Sequence, residues 1–357
     1  MAKLPIVVLF GYESSTFTLK IRLALKLKQI PYIFVAVPSM MPRPVLRDNF
    51  HLTYRKIPVL AIGKDIYCDT SLICEALEHF FPASDGYPSL YPAAADERTY
   101  RPLIRGFVSY YTDRALFRVT TGLIPSSVWR SSFGQDRGQL IGHKLDADKL
   151  EKKMPENLSK FDLQLSMLEP LFTGDGPWIF STSTPSLADI SVFYQLQWGR
   201  DIAAGHYVEN LTGGAVKDTN GEGAQSVFNV RRYPGTFSWY ERVQKYFQDL
   251  QSTESNMTIE TVLELMRETP GYAGLLHTPQ PGLTELDVQS GLKQGSLVAI
   301  TPDDTGRNDP TIGTLVAISP EEVVIEPRRL ENDPTVECQI HFPRLGFVVR
   351  PAPTSNL

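Results

Sequence analysis

At 357 residues the chain is long enough for two or three domains, each burying a core of its own. Its 42% hydrophobic and 21% charged residues exclude a disordered chain, and 25 glycines exclude a collagen-like one. Thirty-five basic against 40 acidic side chains give a formal charge of −5 with no basic stripe, which argues against a dedicated nucleic-acid binder. Cys68, Cys74 and Cys338 form neither a C-x-x-C pair nor a disulfide framework, so no metal site is expected and the setting reads as intracellular and cytoplasmic. No apolar run approaches the ~18–20 residues that span a bilayer, so no membrane association is expected.

In chain order, residues 6–10 are a compact apolar run stopped by Gly11, as in a buried strand rather than a secretory leader. Phe17, Ile21, Ala24, Leu25 and Leu27 then follow a helical period, with Lys20, Arg22, Lys26 and Lys28 assigned to the opposite, solvated face. Residues 32–37 read as a second strand and 38–44 as a proline-rich loop. Residues 58–62, the turn Gly63-Lys64-Asp65 and residues 66–68 form a hairpin, and 71–81 a helix ending at Pro82. This strand, helix, strand, hairpin, helix order is that of a thioredoxin-like α/β domain, assigned to 1–83.

Residues 84–98 read as linker, followed by an all-α domain over 99–275 with helices near 99–121, 148–172, 186–204 and 235–250. Its glycine-rich stretch 205–231 is expected to be a long mobile insertion. The last unit, 276–357, holds five short β-branched runs (297–301, 312–318, 322–326, 336–342 and 346–349) and reads as a small antiparallel β-barrel-like module. The closing Ser355-Asn356-Leu357 has the outline of a peroxisomal address, but Asn356 replaces the basic residue and a frayed tail is expected.

Five segments carry chemistry. Ser14-Ser15-Thr16-Phe17 opens the helix with Lys20-Ile21-Arg22-Leu23-Ala24-Leu25. Lys56-Ile57-Pro58-Val59-Leu60 and Asp69-Thr70-Ser71 follow, then Thr184-Pro185-Ser186-Leu187-Ala188-Asp189-Ile190 and Tyr233-Pro234-Gly235. Together they resemble, in order and over about residues 4–250, the motifs of glutathione transferases. Later segments are similar to a group of fungal members with an added β module. The resemblance implies an α/β thioredoxin-like domain, an all-α transferase domain, glutathione as cofactor and pairing into a homodimer.

Glutathione's thiol resembles a free cysteine at pKa ≈ 8.5, and only the thiolate is nucleophilic. A hydroxyl at a helix N-terminus can donate to that sulfur while the helix dipole favours its charge. By register with the family motif Ser15 is that donor, with Tyr12 and Ser14 as rivals; a plain N-cap is the bland alternative. Thr16 stands where the family usually has proline. Phe17 adjoins the cofactor, Ile57 before a cis Pro58 would pair with the tripeptide backbone, and Asp69 and Thr70 suit the γ-glutamyl end. Among Arg47, His51, Arg55 and Lys56, Lys56 is singled out for the glycyl carboxylate. Phe107, Tyr111 and Trp129 are expected to contact a second substrate, although helically spaced aromatics are more often core. Ser186 and Asp189 form a capping box, a folding element. Cys68 and Cys74 read as buried thiols.

The implied reaction is addition of the glutathione thiolate to an electrophilic small molecule, or glutathione-assisted isomerisation or dehalogenation, as in fungal secondary metabolism. The alternative is a non-catalytic transferase-fold scaffold or ligand carrier acting through its β module.

Overall fold

The computed structural model describes residues 5–94, 96–174, 176–269, 276, 283–327 and 336–352. The tail tripeptide 355–357 and the 275/276 domain boundary lie outside or at the edge of these residues.

The first domain runs β1 (Val7–Gly11), α1 (Thr16–Leu27), β2 (Tyr32–Ala36), α2 (Pro44–Phe50), β3 (Val59–Ile62), β4 (Asp65–Cys68) and α3 (Thr70–Phe80). β1 pairs parallel with β2 and antiparallel with β3, which pairs antiparallel with β4. This is the thioredoxin-like order expected, with a short helix, α2, starting on Pro44 where only a loop was read. One expectation fails on α1. Lys20 and Lys28 are fully buried rather than solvated, because each ammonium meets a carboxylate: Asp113 at 2.5 Å and Glu78 at 2.6 Å. Neutral apolar spacing cannot reveal such long-range pairing.

The second domain begins with one continuous helical run, α4 (Arg101–Gly106), a π-helical stretch (Phe107–Leu116) and α5 (Phe117–Thr121). Then come α6 (Ser126–Arg130), α7 (Ser132–Ile141), α8 (Ala147–Lys152), α9 (Met154–Leu168), α10 (Leu187–Ala203), α11 (Val208–Leu211) and α12 (Pro234–Asp249). The capping box at Ser186 and Asp189 starts α10, which is buried along nearly its whole length and forms the centre of the domain. The stretch read as a mobile insertion is instead packed: Val208, Leu211, Ala224 and Phe228 are buried.

β5 (Glu254–Asn256) adds to β2 at one edge of the sheet, and α13 (Ile259–Glu268) and α14 (Glu285–Gln289) lead to β6 (Leu297–Pro302), β7 (Thr311–Ile318), β8 (Glu322–Pro327), β9 (Gln339–Pro343) and β10 (Phe347–Pro351). These five strands match the five runs read from the sequence. They are not a detached unit, however. β9 lies parallel to β4, with Asp65, Ile66 and Tyr67 opposite Gln339, Ile340 and His341, giving one ten-stranded sheet, β10-β6-β7-β8-β9-β4-β3-β1-β2-β5. The order is linear, and among the described residues β9 and β10 share no pairing that would close a barrel. A single core, including Val8, Phe10, Val59 and Cys68 with Val323, Ile340 and Phe342, runs through both parts.

Candidate functional site

The sheet register builds the site. Phe10 is opposite Val59 and Val59 opposite Cys68, so the residues after β1, before β3 and after β4 stand side by side at one end of the sheet. Tyr12 to Ser15, Lys56 to Pro58 and Asp69 with Thr70 are thereby brought together, as expected from three segments up to 58 positions apart.

Ser15 is the N-cap of α1: its extended backbone precedes the helix and its hydroxyl oxygen accepts from the Thr18 N–H at 3.2 Å. A hydroxyl has one proton and two lone pairs, so this cap leaves the proton available to a ligand. Ser14 is engaged differently. Its N–H and hydroxyl donate to Asn210 Oδ1 at 3.0 and 2.7 Å, and its carbonyl accepts from Trp198 Nε1 at 3.0 Å. The Tyr12 hydroxyl accepts from the Arg137 guanidinium at 3.3 Å. Thr16 Oγ1 is buried at the same helix end without a hydrogen-bond partner. Gly11 permits this turn, since a Cβ there would lie 2.6 Å from Thr18 Cγ2.

The Ile57–Pro58 peptide is cis. Asp69 holds φ 71°, ψ 136°, a region ordinarily left to glycine, and such strained positions concentrate where ligands are held. Its carboxylate accepts from the Ser71 N–H at 2.9 Å and the Ser71 hydroxyl at 2.6 Å, capping α3. Thr70 Oγ1 accepts from Lys20 Nζ at 3.0 Å. Burial pushes the Lys20 ammonium down in pKa, but Asp113 outweighs it and the net shift is upward. Lys20 thus stays charged beside Thr70 with its charge matched by Asp113, and the α3 N-terminus itself favours an anion. The chain of contacts continues from Asp113 to the Tyr194 hydroxyl at 2.7 Å, then to Gln195 Nε2 at 3.0 Å, locking the two domains together behind the site.

Lys56 Nζ lies 2.5 Å from Asp304 Oδ1, in the turn between β6 and β7. Phe17 packs against Phe117 and Tyr194, with ring centroids 4.8 and 6.0 Å apart, at the domain junction. Trp129 packs against Phe133 in the same cluster as Tyr12, whereas Phe107, against Phe180 and Tyr111, and Tyr111 itself pack on the main core. Burial raises the Tyr111 phenol to about 12. A cavity of about 410 Å³ opens beside Lys20 and Ser71, bounded by Arg105, Tyr110, Glu321 and Arg344. All three cysteines are buried; burial pushes Cys68 well up and Cys74 to about 12, so neither is a ready thiolate. Among the described residues no group of three or more His, Cys, Asp or Glu could hold a metal ion, and no helix is long and apolar enough to cross a membrane.

Residues 9–85 match the family described as glutathione S-transferase, N-terminal domain. Residues 120–252 match a second family, a domain of unknown function designated DUF7962. The chain is similar to the solved structure of a GST-like protein from Pseudomonas syringae, with 26% identity over 98% of this chain and 100% of that one and a TM-score of 0.60. That span takes in the added strands as well as the transferase-like domains. A rice glutathione S-transferase in complex with glutathione is 20% identical over 74% and 96% of the two chains (TM-score 0.44), and human glutathione transferase theta-2 is 18% identical over 74% and 100% (TM-score 0.42). No curated protein matches the chain.

At these strand ends, sequence reading missed Lys20, Asn210, Trp198, Arg137 and Asp304. Lys20 left no signal, because α1 also carries Arg22 and Lys26 and its partners Thr70 and Asp113 lie 50 and 93 positions away. The other four reach Tyr12, Ser14 or Lys56 from 125 or more positions away and left no local trace.

Proposed function

We propose that the chain binds glutathione across the ends of β1, β3 and β4 and activates its thiol for reaction with an electrophilic small molecule. The observation carrying this reading is the register that sets the Ser15 cap, the Ile57–Pro58 segment and the Asp69–Thr70 step in one row. In it, the γ-glutamyl carboxylate rests on the α3 N-terminus above Lys20, and Asp69 faces the ammonium. The tripeptide backbone runs beside Ile57, and the sulfur lies at the α1 N-terminus. There the Ser15 proton points to the sulfur and, with the helix dipole, lowers the cost of the thiolate. Serine cannot form a mixed disulfide, so conjugation is favoured over thiol-disulfide exchange. Isomerisation or dehalogenation uses the same thiolate and returns the cofactor.

The non-catalytic alternative draws on one observation: Lys56, the cation expected for the glycyl carboxylate, is already paired with Asp304. Retention on immobilised glutathione together with turnover of a generic electrophile supports the enzyme; failure both to bind glutathione and to be thermally stabilised by it refutes the enzyme. Pairing into a homodimer is tested on the same preparation by sedimentation.

A further inference from the structure

Two cations, Arg55 and Lys56, directly precede the Ile57–Pro58 segment, and both already face carboxylates of this chain. Lys56 Nζ is 2.5 Å from Asp304, while Arg55 is 2.9 Å from Asp136 and 3.6 Å from Asp309. Asp304 and Asp309 lie in the turn between β6 and β7, and that turn is held against the site at several points. The Asp303 N–H donates to the Gly346 carbonyl at 2.9 Å, the Gly306 N–H to the Leu140 carbonyl at 2.9 Å, and the Thr53 hydroxyl to the Pro310 carbonyl at 2.8 Å.

From this juxtaposition we infer that Asp304 is a specificity-determining residue, which turns the site toward γ-glutamyl thiols whose glycyl carboxyl is masked as an amide or ester. The inference rests on the proposed glutathione reading. A free glycyl carboxylate must either share one ammonium with Asp304, placing two like charges against it, or displace Asp304 into water. A masked carboxyl leaves the pair intact, and an amide N–H can donate to Asp304. The pair is part-exposed (Lys56 28%, Asp304 57%), so solvent screens it and the discrimination is modest.

Titration calorimetry with glutathione and glutathione amide, on the full chain and on Asp304→Asn, tests this. The amide is expected to bind the unaltered chain at least as tightly as glutathione. In Asp304→Asn, glutathione binding should tighten by about threefold while the amide changes little, the size expected for a part-exposed ion pair. Tighter binding of glutathione than of the amide by the unaltered chain overturns the assignment and leaves the glutathione reading standing, as does an affinity ratio unmoved in Asp304→Asn. Binding of neither ligand overturns both. The comparison on the unaltered chain decides by itself if the variant does not fold.

Discussion

His341 on β9 holds Nδ1 2.6 Å from a carboxylate oxygen of Glu322 on β8, with both side chains fully buried. Its Nε2 lies 3.8 Å from Asp65 on β4, and its ring stacks on Tyr67 at 4.4 Å. These contacts sit at the seam where the added strands join the thioredoxin-like sheet. Burial pulls the imidazole pKa down, but Asp65 and Glu322 outweigh it and the net shift is upward. A raised folded pKa stabilises fully below the unfolded value of about 6.5 and is lost as pH rises through the folded value. The urea midpoint should therefore fall on raising pH from about 6 through neutrality. In His341→Gln this slope should flatten; an unchanged slope assigns the pH dependence to other groups.

The Lys20–Asp113 pair joins α1 to the π-helical stretch of the second domain. Removing one member leaves a buried charge unmatched, so Asp113→Ala should cost about 3–5 kcal/mol in urea unfolding. Replacing both by apolar residues of similar volume should cost clearly less. A double-mutant cycle that shows additivity would contradict the coupling.

Ser15→Ala removes both the α1 cap and the proposed thiolate donor. Stability should fall by about 1 kcal/mol. Turnover of a generic electrophile should fall at least about tenfold, and the apparent thiol pKa of bound glutathione should rise, as a charge-assisted hydrogen bond is lost. Tyr12→Phe should preserve both. Unchanged turnover and thiol pKa in Ser15→Ala would transfer the role to Tyr12 or to the unpartnered Thr16 hydroxyl.

Asp189 is buried and accepts from the Ile179 N–H at 2.9 Å, the Ser186 N–H and hydroxyl at 2.9 Å each, and Trp239 Nε1 at 3.0 Å. Asp189→Ala strands these donors, so a loss of about 3 kcal/mol or more is expected in thermal or urea unfolding. Asp189→Asn should recover part of it. A cost near that of an exposed cap, about 1 kcal/mol, would mean the pocket rehydrates.

The last example shows what a sequence makes legible. The capping box at Ser186 is a local pattern and could be read directly; the reach of Asp189 to Ile179 and Trp239 is tertiary and could not. The five C-terminal strands were legible from their β-branched runs, but nothing in those runs says that β9 would take the free edge of β4. Strand pairing depends on a register that a single run does not encode. Likewise the Ser15, Pro58 and Asp69 segments were found by motif, whereas Asp304 and Asn210 approach from distant turns. Lys20 was misread as solvated because amphipathic spacing counts a lysine as polar, whatever it meets.

Binding of glutathione across the ends of β1, β3 and β4 is tested most directly by a crystal structure of the full chain grown with saturating glutathione. The tripeptide should lie extended beside Ile57, with its γ-glutamyl carboxylate at Thr70 and Ser71 and its sulfur within about 3.5 Å of the Ser15 hydroxyl. Glutathione absent from these strand ends, or bound with its sulfur away from the α1 N-terminus, would contradict it.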